Sequence, residues 1–331
     1  VDHEGIEKAN IIKNIYPELY PLVMIFLYNI YSISSLVISK EQTNLICVVR
    51  DLIQVMRNED WCFLSVLVLQ NLLRDMRITD PDCNKIFFSS IIKTIDIDVS
   101  PDVTLGCFWC LYQWFTRSWQ YSAPYINKSL LSLLVKNLES PSQDIASISL
   151  YVYSIVWAVE DENTKSIVEE KFPFDKIMIL MNCPVEDISV YSIVNLNNFV
   201  IEKPSNLLFF IENDGMNLLL SNFSERCHKA KLEGSYFLTS LLSLIPRDKI
   251  GDFLIPDLAE ILCDICQLDE LVLTNRILYL CKELIPDFPE FSEMLNFFNF
   301  IETIEANTNT DDITQSLLTR YMQLLPSNQE E

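Results

Sequence analysis

The chain has 331 residues, of which 50% are hydrophobic and five are glycine, a composition that argues against disorder and predicts a large buried core. Its formal net charge of −22 argues against nucleic acid and anionic membranes as partners, because polyanions require an excess of Lys and Arg. We therefore expect no nucleic acid and no membrane among its partners.

The negative charge is concentrated towards the end of the chain. Residues 251–331 contain 16 acidic and 3 basic residues, a net charge of −13. Such a region attracts a basic partner and speeds its association, although the same charge also favours solubility. A dense basic run, Arg226-Cys-His-Lys-Ala-Lys231, lies just ahead of it and is interpreted either as a partner contact or as a counter-charge to neighbouring acidic turns.

A short helical motif recurs along the chain about every 42 residues. Its fifth positions are Asn29, Asn71, Gln113, Ile155, Asn197, Ser240, Cys281 and Gln323, with gaps of 41 to 43 residues. A period this steady indicates stacked copies of one supersecondary unit rather than a single globular core. The predicted units are 6–38, 41–79, 81–121, 124–163, 164–203, 204–247, 248–288 and 289–326 of a single repeat domain, 1–331.

The first unit contains an uncharged stretch, 19–39, that is long enough to span a bilayer. Uncharged runs recur in the same repeat phase at 103–116, 145–159 and 188–201. A single explanation covers all four runs, because each would be the buried helix of one repeat. We therefore interpret 19–39 as part of a repeat and not as a membrane span.

The later units show the internal pattern of a repeat. Apolar runs separated by Pro, Ser and acidic turns predict helices over 126–138, 145–159 and 164–170, then 175–181 and 188–201, and later 256–266 and 271–284. The turns place acidic groups at the start of each long helix, where the helix dipole favours them. The long helix around Tyr151 is apolar nearly all round, which predicts burial between neighbouring helices.

A three-helix unit of about 42 residues, with a Trp-x-x-x-Asn-like pair on its long third helix, resembles the armadillo repeat and in particular its importin-alpha branch. The resemblance extends from Ile6 to Leu325. It implies an all-α, right-handed α-solenoid of about eight armadillo/HEAT-like repeats, whose third helices line a concave groove.

The resemblance also implies how the groove would bind. An Asn on the third helix would hold the backbone of an extended peptide, since a carboxamide both donates and accepts hydrogen bonds. A Trp one turn earlier would form slots for Lys or Arg side chains. The residues of this chain at those two positions, and hence the predicted peptide-binding residues, are Asn29, Asn71, Trp109, Gln113, Tyr151, Asn197, Tyr236 and Gln323.

This chain departs from that pattern at several positions. The Trp position is aliphatic at Ile25, Leu67, Ile193 and Ile277. The amide position is lost at Ile155, Ser240 and Cys281. The remaining amides have a second interpretation, because a carboxamide inside an apolar helix can bond a neighbouring helix and fix the stacking register.

No motif supports an enzyme, a metal site or a cofactor. Neither His3 nor His228 lies in a nucleophile or metal pattern, and no glycine-rich phosphate loop is present. Two cysteine pairs, Cys107-Phe-Trp-Cys110 and Cys263-Asp-Ile-Cys266, have the spacing of zinc or redox pairs. They lie in helical units, which predicts a packing role.

The cysteines favour a reducing compartment, intracellular and either cytoplasmic or nucleocytoplasmic. Core packing is also the expectation for Trp61, Trp114, Trp119 and Trp157.

The sequence thus predicts a non-enzymatic adaptor or scaffold that binds an extended segment of another protein, and the acidic charge favours a basic segment. Two alternatives remain open. One is a divergent nuclear-import adaptor for basic peptides, which acidity supports and the sparse Trp positions oppose. The other is a cytoskeletal or self-associating scaffold, for which the Phe-rich segment 288–325 offers a surface for a homodimer.

Overall fold

The computed structural model describes residues 11, 16, 19, 21–23, 25–26, 52–53, 59–75, 77–97, 100–268, 270–306 and 311–325, of which 59–61 and 75 are described as backbone alone. Within these residues all regular structure is helical. The chain divides into two compact units, unit 1 (Val1–Pro173) and unit 2 (Phe174–Glu331). The predicted first repeat, 6–38, lies almost wholly outside the described residues.

Unit 1 is built from helices that repeat a similar order. They are α1 (Glu59–Asp75), α2 (Pro81–Asp96), α3 (Pro101–Arg117), α4 (Trp119–Ser122), α5 (Lys128–Asn137), α6 (Gln143–Val156) and α7 (Glu162–Glu170), with a 3₁₀ turn at Ala123–Tyr125. Helices α1, α3 and α6 pack side by side in that order. We call helices that pack in this way ladder helices.

Unit 2 continues the same alternation. Its helices are α8 (Phe174–Leu180), α9 (Glu186–Glu202), α10 (Pro204–Glu212), α11 (Gly215–Leu220), α12 (His228–Leu244), α13 (Arg247–Ile250), α14 (Pro256–Cys266), α15 (Leu271–Leu284), α16 (Pro289–Phe297), α17 (Phe300–Ala306) and α18 (Asp312–Leu324), with 3₁₀ turns at Phe223–Glu225 and Gly251–Phe253. The ladder helices of unit 2 are α9, α12, α15 and α18, each packed on the next.

Local chemistry explains where many of these helices begin. The side chains of Asp80, Asn127, Asp161 and Asp311 accept hydrogen bonds from first-turn backbone N–H groups at 2.6–3.1 Å. Proline occupies the first turn of α2, α3, α10, α14 and α16, where its missing N–H needs no partner. The acidic first turns of α6 and α9 agree with the helix-dipole expectation.

The ladder helices approach one another closely. In unit 1 a Cβ added at Gly106 of α3 would lie 2.5 Å from Cγ1 of Val66 in α1, so a larger residue cannot enter this contact without a shift. In unit 2 a Cβ at Gly234 of α12 would lie 3.1 Å from Nη1 of Arg226 and 3.2 Å from Cε2 of Phe223, so this glycine lets the preceding turn pack on α12. Helices α2 and α5 cover α3 and α6, while α8 and α10 cover α9 and α14 covers α15. The inner ladder helices α3, α12 and α15 have neighbours on both flanks, and each ladder helix keeps one face open.

The predicted helix spans agree closely with the structure in unit 2. Helices α14 and α15 have the predicted bounds, Pro256–Cys266 and Leu271–Leu284. In unit 1 the prediction of a helix over 145–159 is wrong at its end, because α6 stops at Val156 and a turn follows. Most of this helix is buried between its neighbours, as expected, while Tyr151 and Ile155 remain partly exposed on its open face.

The tryptophans of unit 1 are largely core residues, as predicted. Trp114 and Trp157 are buried and Trp119 is half-buried, while the side chain of Trp61 lies outside the described residues. The indole Nε1 of Trp114 donates to Oδ1 of Asn84 at 2.7 Å. The amide of Asn84 in turn donates to the carbonyls of Ile78 and Asp80, at 3.1 and 3.0 Å. This network fastens the segment before α2 to ladder helix α3.

The uncharged stretch 19–39 lies mostly outside the described residues, so its interpretation as part of a repeat remains a prediction. Elsewhere in the described part of the chain, every helix is too short or too polar to cross a bilayer. The uncharged runs at 103–116, 145–159 and 188–201 fall largely within ladder helices α3, α6 and α9, as the repeat interpretation requires.

We expect Trp114→Phe to lower the free energy of unfolding by about 2–4 kcal/mol, because it removes buried ring volume and leaves Oδ1 of Asn84 without its donor. Urea denaturation followed by circular dichroism measures this loss. The matched control is Trp119→Phe, which changes a half-buried indole and should cost less than about 1 kcal/mol. Equal effects of the two changes would contradict the assigned role of the Asn84 network.

Candidate functional site

The open faces of the ladder helices form the candidate site. Along each helix the partly exposed residues recur every three or four positions, the spacing of one helix face. In unit 1 this face, the unit-1 stripe, includes Leu67, Asn71, Trp109, Tyr112, Gln113, Tyr151 and Ile155. In unit 2 the unit-2 stripe includes Tyr191, Val194, Asn197, Asn198, Tyr236, Ser240, Asn275, Arg276 and Tyr279.

The predicted binding residues that the structure describes are all accessible to some degree. Asn71, Trp109, Gln113 and Tyr151 are half-buried on the unit-1 stripe, and Asn197 and Tyr236 are half-buried on the unit-2 stripe. Gln323 is exposed on α18, the last described helix of unit 2. Asn29 lies outside the described residues. These positions are compatible with the predicted binding role, which remains a prediction.

The motif register drifts in unit 2. Ile193, Ile277 and Cys281, which the 42-residue alignment places at binding positions, are buried. Val194 and Tyr279 occupy the open face instead, and Asn198 lies beside Asn197 on the same face. In α9 and α15 the side chains that reach the open face are offset by one or two positions from the motif, and each position along a helix turns the side chain by about 100°.

The stripe amides are not used to join helices. Within the described residues, the side chains of Asn71, Gln113, Asn197 and Gln323 make no hydrogen bond. The oxygens Oε1 of Gln113 and Oδ1 of Asn197 are moreover buried without a donor. An unpaired buried acceptor costs about 1–3 kcal/mol. Rotation about the soft terminal torsion would turn each oxygen towards the open face, where an incoming N–H group could pair with it.

The unit-1 stripe also carries an aromatic cluster, formed by Trp109, Tyr112 and Tyr151. The rings of Trp109 and Tyr112 pack edge to face with centroids 5.4 Å apart. The rings of Tyr112 and Tyr151 lie 4.6 Å apart, and the Tyr151 hydroxyl donates to the Tyr112 hydroxyl at 3.1 Å. The cluster thus bridges neighbouring ladder helices α3 and α6. Tyr112 was missed by the motif alignment, although its i+3 spacing from Trp109 places it on the same face.

The basic run of unit 2 serves the fold. Arg226 is partly buried, and its guanidinium donates to Oδ1 of Asn182 at 2.7 Å. Burial lowers the pKa of Arg226 to about 10. Lys229 pairs with Glu186, at the start of the preceding ladder helix, at 2.8 Å. Of the two interpretations of this run, the ion pair of Lys229 with Glu186 favours a counter-charge to an acidic turn.

The two cysteine pairs are buried, in agreement with the packing prediction. Burial raises the pKa of the Cys107 and Cys110 thiols, and it raises the pKa of Cys263 to about 12. The pKa of Cys266 is raised for the same reason. In the described part of the chain no cluster of His, Cys, Asp and Glu has the arrangement of a metal site. These thiols are protonated at neutral pH, the form that is a poor nucleophile and a poor metal ligand.

Comparisons with known proteins bear on the fold. No protein-family model and no curated protein matches the chain. Among solved structures, an engineered protein matches with a TM-score of 0.66 and 11% identity over 96% of this chain and 78% of that one. A computationally designed armadillo repeat protein for modular peptide recognition matches with a TM-score of 0.56 and 12% identity, covering 70% of this chain and 98% of that one. These likenesses show that the chain has an all-α armadillo-type solenoid fold.

Replacing a stripe amide by an apolar residue tests whether it serves stability. We expect Gln113→Leu and Asn197→Leu to leave the free energy of unfolding unchanged or to raise it by up to about 1 kcal/mol, because each removes a buried acceptor without a partner.

Asn84→Leu and Asn206→Leu are the controls for these amide variants. Their amides are buried and donate to backbone carbonyls, at 3.1 Å to Ile78 and 2.9 Å to Phe199, so each should lose about 1–3 kcal/mol. Urea denaturation measures all four variants. If Gln113→Leu and Asn197→Leu were as damaging as the controls, the amides would fix the stacking register instead.

The buried thiols give a third prediction. In the native protein we expect Cys183 and Cys227, which are partly exposed, to react with a thiol reagent at mildly alkaline pH. Cys107, Cys110, Cys263, Cys266 and Cys281 should react after unfolding, because burial keeps them protonated and out of reach. Mass spectrometry of alkylated peptides before and after denaturation locates the label. Rapid native labelling of either cysteine pair would contradict the packing role.

Proposed function

We propose that the chain is a non-enzymatic adaptor that binds an extended segment of another protein along the stripes of its ladder helices. The observation that carries the proposal is the presence of carboxamides on the stripes whose oxygens are unpaired. An extended peptide presents N–H and C=O groups that a carboxamide can satisfy together. The resemblance to a designed armadillo protein for modular peptide recognition is consistent with this use of the fold.

The aromatic cluster of unit 1 suggests which side chains such a segment carries. Within the described residues, no Lys or Arg of the chain lies over the ring of Trp109 or Tyr112. The exposed part of the Trp109 ring can therefore take the methylene stem and charged head of an incoming Lys or Arg, an interaction of about 0.5–2 kcal/mol, while the Tyr112 ring packs on both Trp109 and Tyr151. The net charge of −22 adds long-range attraction for a basic segment. A nuclear-import adaptor for basic peptides is one biological role that fits this chemistry.

A homodimer is the competing proposal for the Phe-rich end of unit 2. Phe297 is 80% exposed and packs against Phe298 with ring centroids 5.1 Å apart. An exposed aromatic pair of this kind can be covered by a second copy. Solution mass measured across a dilution series separates this role from peptide capture, since a peptide adaptor needs no second copy.

Peptide selection tests the proposed adaptor function directly. Random linear peptides displayed on phage are selected on the wild-type chain, and the affinity of enriched peptides is then measured by fluorescence polarisation. We expect Tyr112→Ala and Trp109→Ala to weaken binding of peptides with basic residues by about 10-fold or more, from loss of aromatic contact area.

The matched control for the selection is Tyr121→Ala, which removes an exposed tyrosine of α4 away from the stripe and should leave affinity unchanged. A thermal melt of each variant verifies that it is folded. Failure to enrich any peptide, or equal loss in the stripe and control variants, would contradict the proposed function.

A further inference from the structure

A groove lies on the unit-2 stripe between ladder helices α12, α15 and α18. Its volume is about 540 Å³, within the usual range of about 300–1,000 Å³ for ligand clefts. The described lining residues are Thr239, Ser240, Ser243, Val272, Asn275, Arg276, Tyr279, Leu280 and Leu317. Leu280 is buried at the base, while Val272 and Tyr279 are more than half exposed at the rim. We call this the unit-2 groove.

Arg276 is the charged residue among the described residues that line the unit-2 groove. Its guanidinium carbon lies 5.4 Å from the centre of the Tyr236 ring, so the cation is held over an aromatic face. Among the described residues no carboxylate pairs with it. The groove thus presents a positioned positive charge without a counter-ion, although residues 251–331 carry a net charge of −13.

A cation of the chain lies over the ring of Tyr279, which lines the groove, and another lies over the ring of Tyr236, which lies beside it. Arg276 covers Tyr236, and Lys282 lies 5.1 Å from the ring centre of Tyr279. The Lys282 charge is balanced by Glu283, at 3.3 Å. An incoming Lys or Arg would therefore compete with the chain's own cations for these rings and would meet the unbalanced charge of Arg276. At the Tyr236 position we therefore expect a preference for an acidic side chain, whereas the aromatic cluster of unit 1 favours a basic one.

The polar groups around Arg276 can meet the backbone that flanks a peptide carboxylate. The Thr314 hydroxyl lies 2.6 Å from Oδ1 of Asp311 and 2.8 Å from the Asn275 amide, and the Asn275 side chain also hydrogen-bonds Asp311, so these three groups are engaged with one another. The Ser240 and Ser243 hydroxyls donate to backbone carbonyls at 2.9 and 2.7 Å. Their oxygens are thereby left to accept N–H groups from a bound backbone.

We propose that the unit-2 groove binds the side chain of an Asp or Glu in the extended partner segment, with Arg276 as the residue that determines this specificity. The guanidinium can donate two parallel N–H hydrogen bonds to the two oxygens of a carboxylate. The inference rests on the proposed peptide-binding function and adds a position-specific charge preference to it. Because the surrounding field is negative and screened beyond about 8 Å, the partner segment carries this acidic residue among neutral or basic neighbours.

A double-mutant cycle tests the proposal. Random linear peptides are selected on the wild-type chain in competition with Arg276→Glu, and each enriched peptide is compared with its Glu→Gln or Asp→Asn counterpart. On the wild type, loss of the peptide carboxylate should weaken binding by about 10- to 100-fold. On Arg276→Gln the two peptides should bind equally, and on Arg276→Glu the preference should pass to Lys or Arg at the same peptide position.

The matched control is Arg247→Gln, because Arg247 is an exposed arginine of unit 2 outside the groove, 3.7 Å from Glu283 and 3.8 Å from Asp287. It should retain the full carboxylate preference. The proposal would be overturned if the selected peptides showed no preference for Asp or Glu, or if their preference persisted on Arg276→Gln. In either case the proposed adaptor function would remain supported, because the peptides still bind. If no peptide is enriched, both the adaptor function and this proposal are wrong.

Discussion

The side-by-side packing of the ladder helices is the constraint on which the rest of the molecule depends. The inner ladder helices α3, α12 and α15 are covered on both flanks by neighbours within their unit, and supporting helices cover the backs of α3, α6, α9 and α15. In unit 1 the close approach of α1 and α3 at Gly106 keeps this packing tight. One face of each ladder helix remains open, and since the helices pack side by side, their open faces form a stripe along each unit. Side chains on that stripe are available for function, while most other apolar side chains are committed to the core.

The two stripes share a geometry but differ in chemistry. In unit 1 the aromatic cluster of Trp109, Tyr112 and Tyr151 presents ring faces, which favour cations. In unit 2 the ring of Tyr236 is covered by Arg276, which favours a carboxylate. Each stripe carries an amide whose oxygen is unpaired, Gln113 in unit 1 and Asn197 in unit 2. These amides could hydrogen-bond the backbone of a bound peptide. On each stripe the proposed partner would therefore be recognised through its backbone, with a basic side chain favoured in unit 1 and an acidic one in unit 2.

Much of this fold could be predicted from the sequence because its signals are local. The repeat period, the spans of α14 and α15 and the burial of Trp114 follow from apolar runs separated by Pro and acidic turns. The stripe of unit 2 could not be predicted as well. Each position along a helix turns the side chain by about 100°, so the offset of one or two positions that puts Val194 and Tyr279 on the open face in place of Ile193 and Ile277 does not follow from the repeat period. Arg276 and Tyr236 lie on different helices, so no short sequence pattern indicates that their side chains meet.

The most direct test of this account observes the stripe amides while a peptide binds. In nuclear magnetic resonance spectra, the side-chain NH₂ signals of Gln113 and Asn197 are followed during titration with a peptide selected on the wild-type chain. The account predicts that these signals shift and that their exchange with solvent slows, while those of Asn84 and Asn206, which are already bonded within the fold, stay unchanged. Saturating binding that leaves the Gln113 and Asn197 signals unmoved would contradict it.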